Sequence, residues 1–288
     1  MIVNNINFRK YSFIKILAII LCIGQLFFII CLIRSRGLFE YIGIDYRLRY
    51  SSGMIIRDEG IAEIYNYELQ TSYQKTLYNK FAILSNDSMD FWTIPLPYLP
   101  VFCIPFLISS LVNPVSSFFI WQSLLLFLYA FYMYYFLKRN KVLEYWKIAV
   151  VFSISLPFFL NLIFGQVNLL LLISLGEFYT ATKRNNYFVS GLWLTGMLLK
   201  PQMLIIIIPY LIFFKRLKVL KGFVLGSFVI SIISYILIGN SGVIELYKTI
   251  KNWPVLLSDS GMNLLSLYNN MFKIFPAKLS VFLQLFLL

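Results

Sequence analysis

Between Gly43 and Asn66 the chain reads GIDYRLRYSSGMIIRDEGIAEIYN, a polar stretch that closely follows an apolar run long enough to cross a bilayer. Asp45 stands about a dozen residues beyond the end of that run, near the headgroup boundary, where a carboxylate needs a reason to be. Arg47, Arg49 and Arg57 place positive charge around it, and Tyr46, Tyr50 and Tyr65 add aromatic surface. An anion, cations and rings at that depth fit chemistry on a lipid-linked substrate at the membrane face. A purely structural role stays open: Asp45 is a favoured type for capping a helix that begins near Tyr46, or it pairs with Arg47 or Arg49 on the surface. Lys200-Pro201 is the second notable place, because the cation lies far from either end of the apolar segment Tyr187–Phe214. If that segment is two half-helices, Lys200 caps a tight outer turn instead. The third is Gly165-Gln166-Val167-Asn168, a polar interruption between two apolar segments, where both amides suit a turn that satisfies exposed backbone groups.

Composition limits the chemistry open to these residues. Histidine is absent from the 288 residues, which removes imidazole as base or metal ligand and with it most zinc, haem and Ser-His hydrolase readings. Cys22, Cys31 and Cys103 all lie in apolar segments, so no disulfide framework, metal site or cofactor is expected. The formal charge of +13 would suggest nucleic acid in a soluble protein. Here Arg9, Lys10 and Lys15 flank the first apolar run, and Lys215, Arg216, Lys218 and Lys221 sit between two others, the loop bias that keeps basic residues in the cytoplasm. Membrane lipids are therefore the expected surroundings and nucleic acid is not.

The elements that must position these residues are apolar helices. With 60% hydrophobic and 13% charged residues and a mean hydropathy of +0.78, the chain is an all-α, polytopic integral membrane protein by composition. Apolar segments run at Phe13–Ile33, Ile94–Val112, Val115–Leu137, Ile148–Phe164, Val167–Thr182, Tyr187–Phe214 and Gly222–Gly239, with a last one from near Leu264. Pro95, Pro97, Pro100 and Pro105 make the second a poor continuous helix, so it is a distorted span or a re-entrant element. If every segment crosses once, the loop Lys138–Lys147 falls outside, against the charge bias. If the proline-rich segment is re-entrant and Tyr187–Phe214 forms two halves, that loop and Lys183-Arg184 return to the cytoplasm. Both schemes put Arg34–Thr93, the first extracytoplasmic loop with short amphipathic helices, and Asn240–Asn263 outside, and Lys215–Lys221 inside. Arg34 and Arg36 pull against this orientation. Because the last apolar run reaches Leu288 with no polar tail, a single domain over 1–288, truncated or split at its C-terminus, is expected.

Several motifs in order resemble the family-87 glycosyltransferases, integral membrane enzymes of the GT-C type: Asp45-Tyr46 after the first span, Gly60 to Tyr65-Asn66, Pro97-Tyr98-Leu99-Pro100, Gly165-Gln166-Val167-Asn168 before a leucine run, and Lys200-Pro201 after Gly191 and Gly196. The resemblance covers Asp45 to Phe214 and touches Asn263–Ser266. Arg49 stands where the family often has tyrosine, and the chain is shorter than is usual. The resemblance implies a GT-C helical bundle and makes Asp45, an acidic residue of the first outer loop, the catalytic base. The donor it implies is a polyprenyl-phosphate sugar, typically mannose. That leaving group is already activated, so a carboxylate that deprotonates or orients the acceptor hydroxyl suffices for an inverting displacement. Lys200, Arg47, Arg49 and Arg57 are the candidates for the donor phosphate, with Lys75 also in the first loop. Tyr46, Tyr50, Gln166 and Asn168 are the candidates for the rest of the substrate. Asp87 and Asp90 offer a second acidic site that nothing in their spacing demands.

The reading is a plasma-membrane hexosyltransferase with an extracytoplasmic active site, passing a sugar to a lipid-linked or cell-envelope glycan. A flippase of polyprenyl-linked sugars would share the helices and basic groove without depending on Asp45, a transporter would show inverted repeats, and an inactive truncated relic would show neither activity. Reporter fusions test the orientation common to both schemes: high alkaline phosphatase activity from fusions within Arg34–Thr93 and a cytoplasmic signal near Lys218. The reverse pattern would remove the outer-face mechanism.

Overall fold

A computed structural model describes residues 42–81, 93–142, 153 and 155–259. The expected span Phe13–Ile33, with Cys22 and Cys31, lies outside the described residues. So do Arg34, Arg36, Asp87, Asp90, Lys147 and the apolar stretch beyond Leu264.

The described chain is helical and holds no strand. It comprises α1 (Ile44–Asp58), a 3-10 turn (Ile61–Tyr65), α2 (Tyr67–Phe81), α3 (Pro100–Ser109), α4 (Pro114–Arg139), α5 (Leu156–Phe164), α6 (Asn168–Lys183) and α7 (Tyr187–Leu194). Two 3-10 turns, Thr195–Leu199 and Pro201–Met203, lead into α8 (Leu204–Phe213), and α9 (Leu217–Asp259) follows.

Helix α4 shows how local chemistry sets the boundaries. Asn113 Oδ1 accepts from the Val115 amide at 3.1 Å, Pro114 fills the first position where no donor is needed, and Lys138 and Arg139 meet the negative end of the helix dipole. Its 26 residues rise about 39 Å, more than the hydrocarbon thickness. The run Leu217–Lys251 of α9 is more apolar still, and these two helices are long and apolar enough to cross a membrane. Phe127 on α4 and Ile236 on α9 are 67% and 74% exposed, so their outer faces present hydrocarbon to the surroundings. The protein is a helical, membrane-associated one.

The proline-rich segment is not a full span. Residues 93–99 form no helix, and α3 then adds only ten residues, about 15 Å, or half the hydrocarbon. Tyr187–Phe214 is likewise broken, at Lys200. α7 and α9 run parallel in tight contact: a side chain at Gly191 would fall 2.0 Å from the Val219 carbonyl, and one at Gly222 would fall 2.1 Å from that of Phe188. Gly226 meets Thr195 further along. For α9 to start beside the start of α7, α8 must run back, so α7 and α8 form a hairpin of half-helices with Lys200 at its tip.

This folding-back gathers the basic loops at one end. Arg139 and Glu177 form an ion pair joining α4 to α6, supported by the Tyr132 hydroxyl at 3.1 Å. Lys183 Nζ reaches Asn140 Oδ1, and the Arg216 guanidinium lies 6.0 Å from the Tyr187 ring. Lys138–Lys141, Lys183-Arg184 and Lys215–Lys221 therefore share one end of the bundle, the arrangement that the two-half-helix scheme requires. At the other end Gly239, at φ 62 and ψ −168, turns the chain, and the helix resumes from Asn240 with Gly242 against the Ala62 carbonyl. The polar stretch Asn240–Asp259 is thus helical.

Candidate functional site

Asp45, Arg49, Tyr98, Gln166, Asn168 and Lys200 line one cleft of about 200 Å³ at the end away from the basic loops. Val167 and Leu199 add apolar wall.

Helix α1 begins at Gly43 in the left-handed conformation, and the Gly43 amide donates to the Ile163 carbonyl at 2.7 Å. The start of α1 is thereby pinned to the end of α5. Asp45 lies in the first turn and does not cap the helix, for no side chain accepts there. Its side chain is half-exposed in the cleft, and no ion pair to it forms among the described residues.

One turn on, Arg49 is buried on the same face. Its Nη1 donates to the Asp45 carbonyl at 2.9 Å and the Gly165 carbonyl at 3.2 Å, and its Nη2 donates to the Tyr98 hydroxyl. The guanidinium also lies 4.5 Å from the Tyr98 ring centroid. Nε has no described partner. Burial pushes the Tyr98 hydroxyl pKa up, and the neighbouring Arg49 opposes the rise.

Tyr98 is held by a clamp of two amides. Gln74 Nε2 donates to the Ile94 carbonyl at 2.7 Å while its Oε1 accepts from the Ile94 amide at 2.9 Å, and Gln70 Oε1 accepts from the Leu96 amide at 3.1 Å. Ile94 and Leu96 thus donate to side chains of α2, and Pro95 and Pro97 between and after them have no N–H to satisfy. The Tyr65 hydroxyl completes the support by donating to the Tyr98 carbonyl at 2.6 Å.

The Gly165–Asn168 turn closes the opposite wall. Gly165 ends α5 at φ 71, and a side chain there would meet Tyr46 Cβ at 2.6 Å, so only glycine lets the turn approach α1. Buried Asn161 braces the turn from below: its carbonyl accepts from the Gln166 amide at 2.9 Å and its Oδ1 from the Asn168 amide at 3.1 Å. Asn168 Nδ2 donates to Gln166 Oε1, and Lys200 Nζ reaches Asn168 Oδ1 at 3.5 Å. Lys200, at φ −147 and ψ 79, belongs to neither half-helix, and its half-buried side chain extends into the cleft.

The other sequence candidates are placed elsewhere. Tyr46 and Tyr50 are buried in a ring cluster with Phe106, Phe118 and Trp121, where Tyr46 shares a hydrogen bond with Ser117 and Tyr50 donates to the Val112 carbonyl. Both rings are enclosed and both hydroxyls engaged, so they support the cleft from behind. Arg57 forms an exposed pair with Asp58 and donates to the Ser110 carbonyl; the pair holds the Asp58 carboxyl below its usual range. The Arg47 guanidinium lies 5.7 Å from the Tyr78 ring, and burial lowers its pKa to about 10. Lys75 is exposed on α2. Sequence reasoning passed over Tyr98, Asn161 and Gln202 as individual residues. Tyr98 sits inside the Pro-Tyr-Leu-Pro motif, Asn161 is a lone amide in an apolar run, and Gln202 follows Lys200-Pro201 into the cleft lining.

Residues 96–284 match glycosyltransferase family 87, and the chain belongs to that family. No curated protein and no solved structure matches it. The match takes in Tyr98, the Gly165–Asn168 turn and Lys200, whereas Asp45 and Arg49 precede it and join the cleft through tertiary packing.

Replacing Arg49 with Met would leave the Gly165 carbonyl and the Tyr98 hydroxyl without their buried donor, a loss of about 2–3 kcal/mol. Thermal unfolding of the full chain in detergent should show a clearly lowered midpoint. Arg49→Lys should recover little, since one ammonium cannot span the same three acceptors. An unchanged midpoint in Arg49→Met would show that the cleft walls are held together by other contacts.

Proposed function

We propose that this family-87 protein is a GT-C-type membrane hexosyltransferase that takes a sugar, such as mannose, from a polyprenyl phosphate and transfers it with inversion to a hydroxyl of a lipid-linked or cell-envelope glycan. The observation that carries this reading is the convergence of one half-exposed carboxylate with two cations and three side-chain amides on a single cleft. Asp45 takes the proton of the acceptor hydroxyl, the oxygen attacks the anomeric carbon from the face opposite the phosphate, and the carbon–oxygen bond to the phosphate breaks. Polyprenyl phosphate leaves with the electron pair. Lys200 meets the developing charge directly, while Arg49, its donors directed to the walls, contributes positive potential from beneath. Gln166 and Asn168 present amides to the sugar hydroxyls.

The charge asymmetry of the bundle supports an orientation for the site. With the basic end in the cytoplasm, the cleft opens on the extracytoplasmic side of a multi-pass plasma-membrane protein. Lys200 at a hairpin tip then meets a phosphate near the headgroup level, where a polyprenyl phosphate carries its charge.

Asp45→Asn should lower transfer of radiolabelled sugar from a polyprenyl-phosphate donor by a factor on the order of a hundred to ten thousand, with membrane insertion intact. Near-normal turnover would remove Asp45 as the base. Passage of lipid-linked sugar across proteoliposomes without any transfer by the wild-type chain would assign the cleft to a flippase. Lys200→Met keeps most of the bulk and removes the charge, so apparent donor affinity should fall more than thermal stability. Unchanged donor affinity with a large stability loss would make Lys200 a structural cap at the helix break.

A further inference from the structure

At the end opposite the cleft, the turn from α8 into α9 and the start of α7 enclose a pocket of about 270 Å³ lined by Tyr187, Lys215, Arg216, Lys218 and Val219. The three cations are exposed, and none forms an ion pair with a carboxylate among the described residues. Arg216 is steadied by the Tyr187 ring, and Lys215 takes a left-handed backbone at φ 50, which glycine would adopt more readily.

An apolar groove of about 440 Å³ continues from this pocket along α9. Leu217 lines both, so the basic pocket and the groove are contiguous. The groove is formed by Leu217, Leu220, Lys221, Val224, Leu225 and Phe228, the three- and four-residue spacing of one helix face. From Leu217 to Phe228 the helix rises about 16 Å, from the basic turn past Lys221, whose long stem lets its ammonium reach the headgroups, into the outer part of the hydrocarbon. A soluble anion would use the pocket and leave the groove empty, whereas a basic pocket at the mouth of an apolar groove that runs into the hydrocarbon matches a lipid from headgroup to the start of its acyl chain.

We propose that this end of the molecule binds one anionic phospholipid, with its phosphate held by Lys215, Arg216 and Lys218 and an acyl chain along Leu217, Val224, Leu225 and Phe228. The site is separate from the cleft and requires no transfer activity. It fixes the depth of α9 in the membrane and, through the glycine contact with α7, the level of the hairpin that carries Lys200.

The test is native mass spectrometry of the full chain in detergent, titrated with dioleoyl phosphatidylglycerol, dioleoyl phosphatidylcholine or inorganic phosphate. The wild-type chain should retain one phosphatidylglycerol in preference to phosphatidylcholine. The K215Q/R216Q/K218Q variant should weaken that retention by roughly tenfold or more. K215G alone, which relaxes the backbone while removing one charge, should weaken it several-fold (roughly fivefold), and it decides the matter if the triple variant does not fold. Leu225→Gln in the groove should also weaken phosphatidylglycerol. Equal retention of the two lipids, or unaltered phosphatidylglycerol binding in the charge variants, would overturn the proposal. Displacement of phosphatidylglycerol by inorganic phosphate with Leu225→Gln silent would overturn it in favour of a free-anion site.

Discussion

The buried guanidinium of Arg49 is the interaction on which the geometry of the cleft depends. A cation withdrawn from water needs its donors satisfied, and Arg49 finds acceptors on three separate segments: its own helix at Asp45, the turn at Gly165 and the proline-rich segment at Tyr98. Each of those segments carries a residue that faces the cleft. The requirement to pair one buried charge thus brings α1, the Gly165–Asn168 turn and the proline-rich segment to a common point. It also places fixed positive charge on the same cleft as the Asp45 carboxylate, with no ion pair between them among the described residues.

The rest of the site is assembled by backbone that no regular helix could provide. Gly165 and Lys200 both interrupt apolar segments, and both interruptions lie at the cleft end. Polar backbone at a helix break must find partners, and here the side chains of Arg49 and Asn161 supply them. The non-helical stretch from Thr93 to Leu99 obeys the same rule through Gln70 and Gln74 on α2. Amides that cannot be satisfied within a helix are satisfied by side chains whose own positions then become fixed, which is how loops at a membrane boundary are made rigid enough to hold a substrate.

The two ends of the bundle are chemically distinct, and the hairpin of α7 and α8 is what separates them. Had Tyr187–Phe214 continued as one helix, Lys200 would sit near the middle of a span and Tyr187 would be remote from Arg216. Close packing of α7 on α9 through Gly191 and Gly222 forces the chain back, so Lys200 rises to the cleft and Lys215 returns to the basic end. One contact between small residues thereby sets the position of two cations with different surroundings.

Much of this organisation is legible in residue types alone. Apolar run lengths mark α4 and the first part of α9, proline density marks the failure of Ile94–Val112 to span, and Lys200-Pro201 marks the break between α7 and α8, because each depends on local backbone chemistry. The candidates Asp45, Gln166, Asn168 and Lys200 could likewise be named from their oddity in an apolar chain. Tertiary structure alone decided which of the first-loop residues share the cleft. Arg47 and Arg57 are the same residue type as Arg49 and, with Tyr46 and Tyr50, lie in the same short stretch, and a helix distributes neighbouring side chains around its axis, so only packing against α3, α4 and the Gly165 turn determines which of them face the cleft. The amides of Gln70, Gln74 and Asn161 stayed unreadable for a related reason: their partners lie on other segments, and a hydrogen bond between distant parts of a chain leaves no periodicity in the sequence.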